Sequence, residues 1–399
     1  MKVLIVCESY SEKSSGGKVA RYLSKIASSA GHKVEIAVTH PLGITRNTHK
    51  KPATNITQIF SKNGFINRAI SASSILTKSF APQSFRDLIS RYRPDIVHFA
   101  SFDHTKPSSL YYHCLERDIP ILLQPWTMHF FCAQGFAYRN QSQCFDCLDK
   151  PLMAAYRNGC INQKRKIIDS LDRPNLKAVS KDSRSSFLSS NSSMDSILKH
   201  YGIPKKKIFR FPVPFDCLDY EPIASNSGDY YIFYGQAEEH KGISVLIELF
   251  GMMPRRKLVI CPMSEFPKDR KLPNNVTIVD GAAWGLGLDE LIAGAKGVVI
   301  PSLWSTTTEY TLYEAMLMEK PIFAFNVGVH KDILVNQYNA ILADPLNPFE
   351  MIHGFDLVEC MPELCIELVK NAKKTLFEIN SIDRLGSLLS QIYEAACHA

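Results

Sequence analysis

Three short stretches of the 399-residue chain combine residue types suited to a phosphorylated, hydroxyl-rich ligand. In Gly235-Gln236-Ala237-Glu238-Glu239-His240-Lys241-Gly242 a lysine stands just past the end of an apolar run, where its ammonium could neutralise a diphosphate. The plainer alternative is a surface lysine at a helix start, a mildly unfavourable place for a cation. In Pro301-Ser302-Leu303-Trp304, followed by 305–309 and Tyr310-Thr311-Leu312-Tyr313-Glu314-Ala315-Met316, an apolar run gives way to a loop and then a helical pattern. Glu314, one turn into that helix, could accept hydrogen bonds from two neighbouring hydroxyls; alone it would read as a helix-surface glutamate. Ser15-Gly16-Gly17 follows the first apolar run. Glycine lets backbone approach a ligand closely, and the first amides of a following helix attract phosphate. A plain turn is the alternative. The stretch is not G-x-G-x-x-G, which counts against a dehydrogenase.

A fourth cluster is made of cysteines. Four of the eleven, Cys132, Cys144, Cys147 and Cys160, fall within 29 residues. Four thiolates could hold a structural zinc or an iron–sulfur cluster. The spacing lacks the two paired knuckles of a zinc ribbon, so reduced, buried cysteines stand as the other reading.

The elements that must carry these residues alternate between short apolar runs and helical patterns, which predicts parallel sheets. Residues 2–7 read as a strand, and Gly16-Gly17 opens a helix to about Ala30, ended by Gly31-His32. Strands are expected at 33–39, 95–100, 119–124, 176–180 and 208–211, with a helix around 85–92. The polar stretch 221–228 reads as a linker. The pattern then restarts: strands at 230–235, 257–261, 276–280, 297–301 and 321–325, helices at 241–251 and 311–318, and a helical end from about Pro348. The fold class is α/β, with two Rossmann-like, doubly wound domains at 1–220 and 221–380. A final helical segment, 381–399, is expected to pack back on the first. Such sheets bind ligands beyond their strand C-termini, so a cleft between the domains is the expected site.

Composition sets limits. A chain of this length suits two cores better than one. No run reaches the roughly 18 apolar residues of a membrane span. The first apolar run lacks a small-residue cleavage site, and a cytoplasmic location is expected, which argues against disulfides. The net charge of +7 comes partly from Lys164-Arg165-Lys166, Lys205-Lys206-Lys207 and Arg255-Arg256-Lys257. These are either solvated surface or a means of attracting anionic lipid. No basic-plus-aromatic motif accompanies them, so nucleic acid is not an expected partner. Ile66, Ile70, Ile75, Leu76 and Phe80, with Arg68, Lys78 and Arg86, form either a membrane-facing amphipathic surface or an ordinary half-buried helix.

Taken in order, the three motifs resemble the retaining family 4 glycosyltransferases of GT-B fold, over nearly the whole chain. Gly31-His32-Lys33-Val34 matches the family's Gly-His-x-Val, and Pro94-Asp95-Ile96-Val97-His98 looks like the start of one of its strands. Pro212-Val213-Pro214-Phe215-Asp216 resembles its Pro-Asn-Gly-Val-Asp, and 301–327 is the most specific segment. The resemblance implies that Gly16, Gly17 and Lys241 contact a donor diphosphate and that Glu314 binds ribose hydroxyls. It puts His129, in Trp126-Thr127-Met128-His129, near the reaction centre; a buried histidine with a satisfied partner is the alternative. Lys241 and His129 are thus the expected catalytic residues. Gln236, Thr306, Thr308, Glu309 and Tyr310 fall on the remaining donor-binding positions. Some relatives carry cysteine-rich inserts after the histidine.

This chain departs from the family at three places. Gln236 stands where arginine is usual, Thr306 replaces the first glutamate of E-x7-E, and Thr308-Glu309 replaces Phe-Gly. A charge-assisted hydrogen bond contributes about 1.5–3 kcal/mol, so these changes could weaken or re-specify donor binding. The implied activity is transfer, with retention, of a hexose-type sugar from a nucleotide-diphosphate sugar. The implied acceptor is a glycan or lipid-linked glycan of bacterial capsule, O-antigen or exopolysaccharide, at the inner face of the membrane. No metal is required for that chemistry. The alternatives are a donor-binding but catalytically weakened homologue or partner subunit, or another GT-B enzyme such as a sugar-nucleotide epimerase or a phosphorylase.

Overall fold

β1 (Lys2–Cys7) is buried from its second residue onward, the unbroken apolar pattern of a strand covered on both faces. With β2 (Lys33–Val38), β3 (Asn55–Gln58), β4 (Ile96–Ala100) and β5 (Ile121–Gln124) it belongs to a seven-stranded parallel sheet. A two-stranded antiparallel hairpin, β6 (Tyr138–Arg139) and β7 (Ser142–Gln143), intervenes in the chain. β8 (Ser185–Ser189) and β9 (Ile208–Arg210) complete the sheet in the order β3-β2-β1-β4-β5-β8-β9.

The second sheet is also parallel throughout. Its strands are β10 (Tyr231–Gly235), β11 (Leu258–Pro262), β12 (Val276–Ile278), β13 (Gly297–Ile300), β14 (Ile322–Phe325) and β15 (Ile341–Ala343), in the order β12-β11-β10-β13-β14-β15. In both sheets the order reverses beside the first strand, between β1 and β4 and between β10 and β13. That reversal is the switch point at which doubly wound sheets hold ligands.

The computed structural model describes residues 1–10, 15–39, 55–59, 81–100, 108–140, 142–148, 151–161, 173–220, 228–267, 270–307 and 309–398. The basic group at 164–166, residues 221–227 of the linker stretch and the whole of the amphipathic stretch at 66–80 lie outside them. Two compact units emerge. The first comprises Met1–Ala137, Cys144–Phe215 and Asn380–Ala399; the second comprises Tyr138–Gln143 and Asp216–Ile379.

In the first unit the C-terminal helix Ile382–Cys397 lies on the helix Ser15–Ser29. Gly386 permits the approach, since an added Cβ would stand 3.2 Å from the Ala30 methyl. Tyr393 donates to His98 Nδ1 at 3.0 Å, and His98 Nε2 lies 3.1 Å from Gln124 Oε1. Buried polar groups are thereby paired rather than merely enclosed. Among the described residues no helix is long and apolar enough to cross a membrane.

One expected strand is a helix. The run at 176–180 belongs to the helix Arg173–Lys181, and the strand is β8 with sequence SSFLS. Leu176, Val179 and Ser180 recur at helical spacing, with Val179 and Ser180 buried. The serines of β8 are buried although their type suggests a loop.

Candidate active site

The second unit gathers its chemistry at the C-terminal ends of β10 and β13, the two strands flanking the switch point. β10 ends at Gly235, whose φ of 146° favours glycine. A short 3-10 turn, Glu239–Lys241, follows, and Gly242 starts the helix Ile243–Gly251 in a left-handed conformation, φ 77°. Gly242 is required twice over, because a Cβ there would also lie 1.8 Å from the Pro301 carbonyl oxygen. The two loops are therefore packed backbone to backbone, which brings Lys241 to the start of the helix Tyr310–Leu317.

At that helix start Lys241 Nζ lies 2.7 Å from Glu309 Oε1. The side chains are 15% and 7% exposed, so this is a nearly buried ion pair. Ser302 Oγ donates to the other carboxylate oxygen at 3.0 Å. The Lys241 ammonium also stands 5.6 Å from the centre of the Trp304 ring. Burial alone would raise the Glu309 pKa; the charges of Lys241 and His330, with hydrogen bonds from Lys241 and Ser302, outweigh it and hold the group below its ordinary value. His330 Nδ1 is 2.8 Å from the Phe325 carbonyl. A carbonyl only accepts, so Nδ1 carries the proton. Burial keeps His330 below the ordinary histidine value despite Glu309, whose Oε2 is 4.0 Å from Nε2. His240, stacked edge-on against Trp304 at 5.5 Å, is pushed down to about 4 by burial and by the Lys241 charge.

Glu314 lies on the same helix, 6% exposed at residue level and one turn further along. Tyr220 donates to its Oε1 at 2.9 Å, and Tyr220 in turn meets the Trp284 ring edge-on at 4.8 Å. Burial and the Glu314 carboxylate raise the pKa values of both Tyr220 and Tyr234, which keeps these phenols as donors. Tyr234 donates to the Thr311 carbonyl at 3.2 Å. Tyr220 and Tyr234 are thus both hydrogen-bond partners of the buried Glu314 carboxylate, a group with about four acceptor sites in all.

The other expected donor-side residues divide. Gln236 is exposed beside the β10 end, and Tyr310 is half-buried. Thr306 is fully buried, and Gly328, at φ 50°, lies so close that a Cβ would stand 2.4 Å from the Thr306 nitrogen. The Thr306 carbonyl accepts the Val329 backbone N–H at 2.9 Å. Thr308 lies outside the described residues.

In the first unit Gly16 and Gly17 fall in the opening turn of the helix Ser15–Ser29. Neither has a left-handed φ, and a Cβ on Gly16 would make only an ordinary 3.5 Å contact with Trp126. Backbone conformation therefore does not demand glycine at either position. His129 follows β5 in a 3-10 turn, Met128–Phe130. Thr127 Oγ1 accepts the His129 backbone N–H at 3.4 Å and lies 3.0 Å from Nδ1. Gly135, at φ 84°, lies against the same ring; a Cβ there would be 1.9 Å from Cε1. When the threonine hydroxyl donates to Nδ1, the ring proton is left on Nε2.

Cys132, Cys144, Cys147 and Cys160 are all thiols. Cys147 and Cys160 share a small apolar cluster with Ala133, Ala154, Ala155 and Ile161. Among the described residues no group of three or more His, Cys, Asp and Glu side chains could hold a metal ion, so the four thiols as placed do not form a ligand set. Cys132 and Cys147 are buried, whereas Cys144 and Cys160 are half-buried.

Sequence reasoning did not reach Tyr220, Ser302, His330 or Gly135 as members of these sites. Ser302 stood inside the most informative segment. Tyr220 and Gly135 approach from loops, and His330 from the start of the short helix His330–Ile333, with no local signature.

Residues 221–375, within the second unit, match the family model of glycosyl transferases group 1. An uncharacterised glycosyltransferase of Methanocaldococcus jannaschii is 29% identical over 174 residues, 41% of this chain and 44% of that one. The chain thus spans less than half the length of the curated relative it matches. Sucrose-phosphate synthase of Thermosynechococcus elongatus superposes with a TM-score of 0.68 at 13% identity, covering 99% of this chain and 98% of that one. HepE of Anabaena, solved with UDP, superposes with a TM-score of 0.62 at 12% identity, covering 98% and 99%. The fold is GT-B.

Proposed function

We propose that the chain is a retaining glycosyltransferase that moves a hexose-type sugar from a nucleoside-diphosphate sugar to a glycan or lipid-linked acceptor. The observation that carries this reading is one helix beside a switch point that has Lys241 at its start, bound to Glu309, and a buried carboxylate, Glu314, one turn further along. Glu314 receives two ribose hydroxyls. Lys241 exchanges Glu309 for the donor diphosphate. Gly16 and Gly17 add backbone amides to that diphosphate, and Gln236 and Tyr310 complete the donor contacts.

In the reaction the bond between the sugar C1 and the diphosphate oxygen breaks, and a bond forms from C1 to the acceptor oxygen on the same face. The acceptor proton passes to the leaving phosphate oxygen. Negative charge grows on that phosphate, where Lys241 and the helix-start amides stabilise it without reorganising. His129, oriented by Thr127 and Gly135, donates from Nε2 to the sugar.

Titration calorimetry with UDP, UDP-hexoses and other nucleoside-diphosphate sugars tests the reading. UDP-sugars come first because HepE of Anabaena was solved with UDP and with UDP-glucose. Native protein should bind at least one, and Glu314→Ala should weaken it at least tenfold. Equal binding by both proteins, or a β-linked product from an α-linked donor, would overturn it. The second reading, a donor-binding but catalytically weakened homologue, draws on the Lys241–Glu309 pair and the missing charges at Gln236 and Thr306. Donor binding without turnover on any acceptor would favour it.

A further inference from the structure

The edge of the second unit opposite the donor-side loops carries a groove of ≈ 640 Å³. Its walls are the segments entering β13 and β14 and the helix Pro362–Ile379. Lys296 immediately precedes β13, and Lys320 lies next to the start of β14. The strand C-termini that carry Lys241 and Glu309 lie at the other end of the same sheet, so this groove is a separate feature.

The helix gives the groove an unusual face for a solvated surface. Ile366 is 66% exposed and Phe377 is 50% exposed. They stand eleven positions apart, close to three full turns, and so share one face. Lys370 and Lys373 lie between them on that face. Five lysines and one glutamate, Glu319, line the groove. Several of these lysines have exposed carboxylate partners: Lys373 with Glu319 at 2.5 Å, Lys370 with Glu367 at 3.7 Å and Lys296 with Asp229 at 2.5 Å. Exposed pairs of this kind contribute little, so a phosphate that meets two lysines at once can displace them. Two large apolar side chains beside a lysine rim match the boundary between headgroups and acyl chains.

We propose that this groove docks the protein on an anionic phospholipid surface. Phosphate headgroups meet Lys296, Lys370 and Lys373, and Ile366 and Phe377 enter the acyl boundary. Docking of this kind does not depend on the donor chemistry.

The test is co-sedimentation of the full chain with vesicles of phosphatidylglycerol and phosphatidylcholine (1:3) and with phosphatidylcholine alone. Binding is expected to the first and to be at least tenfold weaker to the second. Each lysine near an anionic surface is worth roughly fivefold, so the K370Q/K373Q pair should lose about 25-fold. Lys205→Gln with Lys206→Gln, in the first unit's exposed basic group, should lose far less. Phe377→Ser should weaken binding with the charge unchanged. Phe377→Trp should show a blue-shifted emission increment with the anionic vesicles only, a readout that does not depend on losing binding. Native-like vesicle binding by K370Q/K373Q, greater loss from the Lys205/Lys206 pair, or an unshifted emission from the Phe377→Trp variant would each overturn the proposal. Capture of poly-glutamate without vesicle binding would also overturn it, in favour of an acidic protein segment.

Discussion

Tyr220 donates a hydrogen bond to Glu314 across 94 residues of chain, oxygen to oxygen at 2.9 Å. The phenol arrives from the segment just before residues 221–227, and the carboxylate sits one turn into the helix Tyr310–Leu317. One carboxylate oxygen is thus fixed before any ligand arrives, and the group is preorganised for ribose on the proposed reading. Tyr220→Phe removes the donor while keeping the ring against Trp284. A hydrogen bond to a charged group is worth about 1.5–3 kcal/mol. Nucleotide affinity should fall about tenfold by calorimetry, and the melting temperature should drop by a few degrees. Unchanged affinity would leave the phenol a purely structural partner.

The Lys241–Glu309 pair makes a prediction of the opposite kind. Lys241→Ala strands a nearly buried carboxylate, which costs about 3 kcal/mol or more at full burial and somewhat less at the 15% exposure of Lys241. The double variant Lys241→Met, Glu309→Gln removes both charges and should recover most of that stability in urea unfolding. Transfer activity should stay lost in both, because phosphate stabilisation needs the ammonium. A double variant with restored activity would remove Lys241 from the proposed reaction.

Much of this second-unit site was legible because its residues are local. A strand-end glycine, a lysine six positions later and a glutamate one turn into a helix follow one another along the chain. What packs on them was not legible. Tyr220, His330 and Gly328 arrive from segments whose own patterns say nothing about Glu314, Glu309 or Thr306. Strand reading failed at β8 for a related reason. Its serines are buried by neighbours that the local pattern does not name, whereas Leu176 and Val179 suggested a strand and belong to a helix. The cysteine cluster shows the limit from the other side: a compact spacing along the chain does not put four thiols on one point.

Two buried histidines predict how stability follows pH. His113 is pushed down to about 4 by burial and by Arg117 and Arg86, and His240 is also pushed down to about 4. In the unfolded chain each titrates near its ordinary value of 6.5. Between these values the unfolded state binds more protons, so stability falls as pH drops from 6.5 towards 4. At pH 5 each histidine costs on the order of 2 kcal/mol relative to neutral pH. Glu309, with its lowered pKa, adds a loss only below the ordinary glutamate value, as pH falls through its native one. Urea unfolding at pH 7 and pH 5 should show the decline, and His240→Gln should flatten it. An unchanged slope in that variant would mean the native histidine titrates normally.

Gly135 gives the sharpest test of the first unit, because it acts on His129 through space that only glycine leaves. Its φ of 84° already disfavours any side chain, and a Cβ would stand 1.9 Å from the imidazole Cε1. Gly135→Ala must therefore rotate the ring off the Thr127 hydroxyl or shift the turn that carries it. Nucleotide binding, proposed to rest mainly on Glu314 and Lys241, should survive with its affinity within about threefold. Turnover should fall by about a hundredfold or more, since even an ångström of misplacement at a reacting centre has that effect. His129→Ala should match it in kcat without the backbone strain. If Gly135→Ala instead loses nucleotide affinity and keeps its turnover number, His129 is a packing residue and the hydrogen-bond donor to the sugar lies elsewhere.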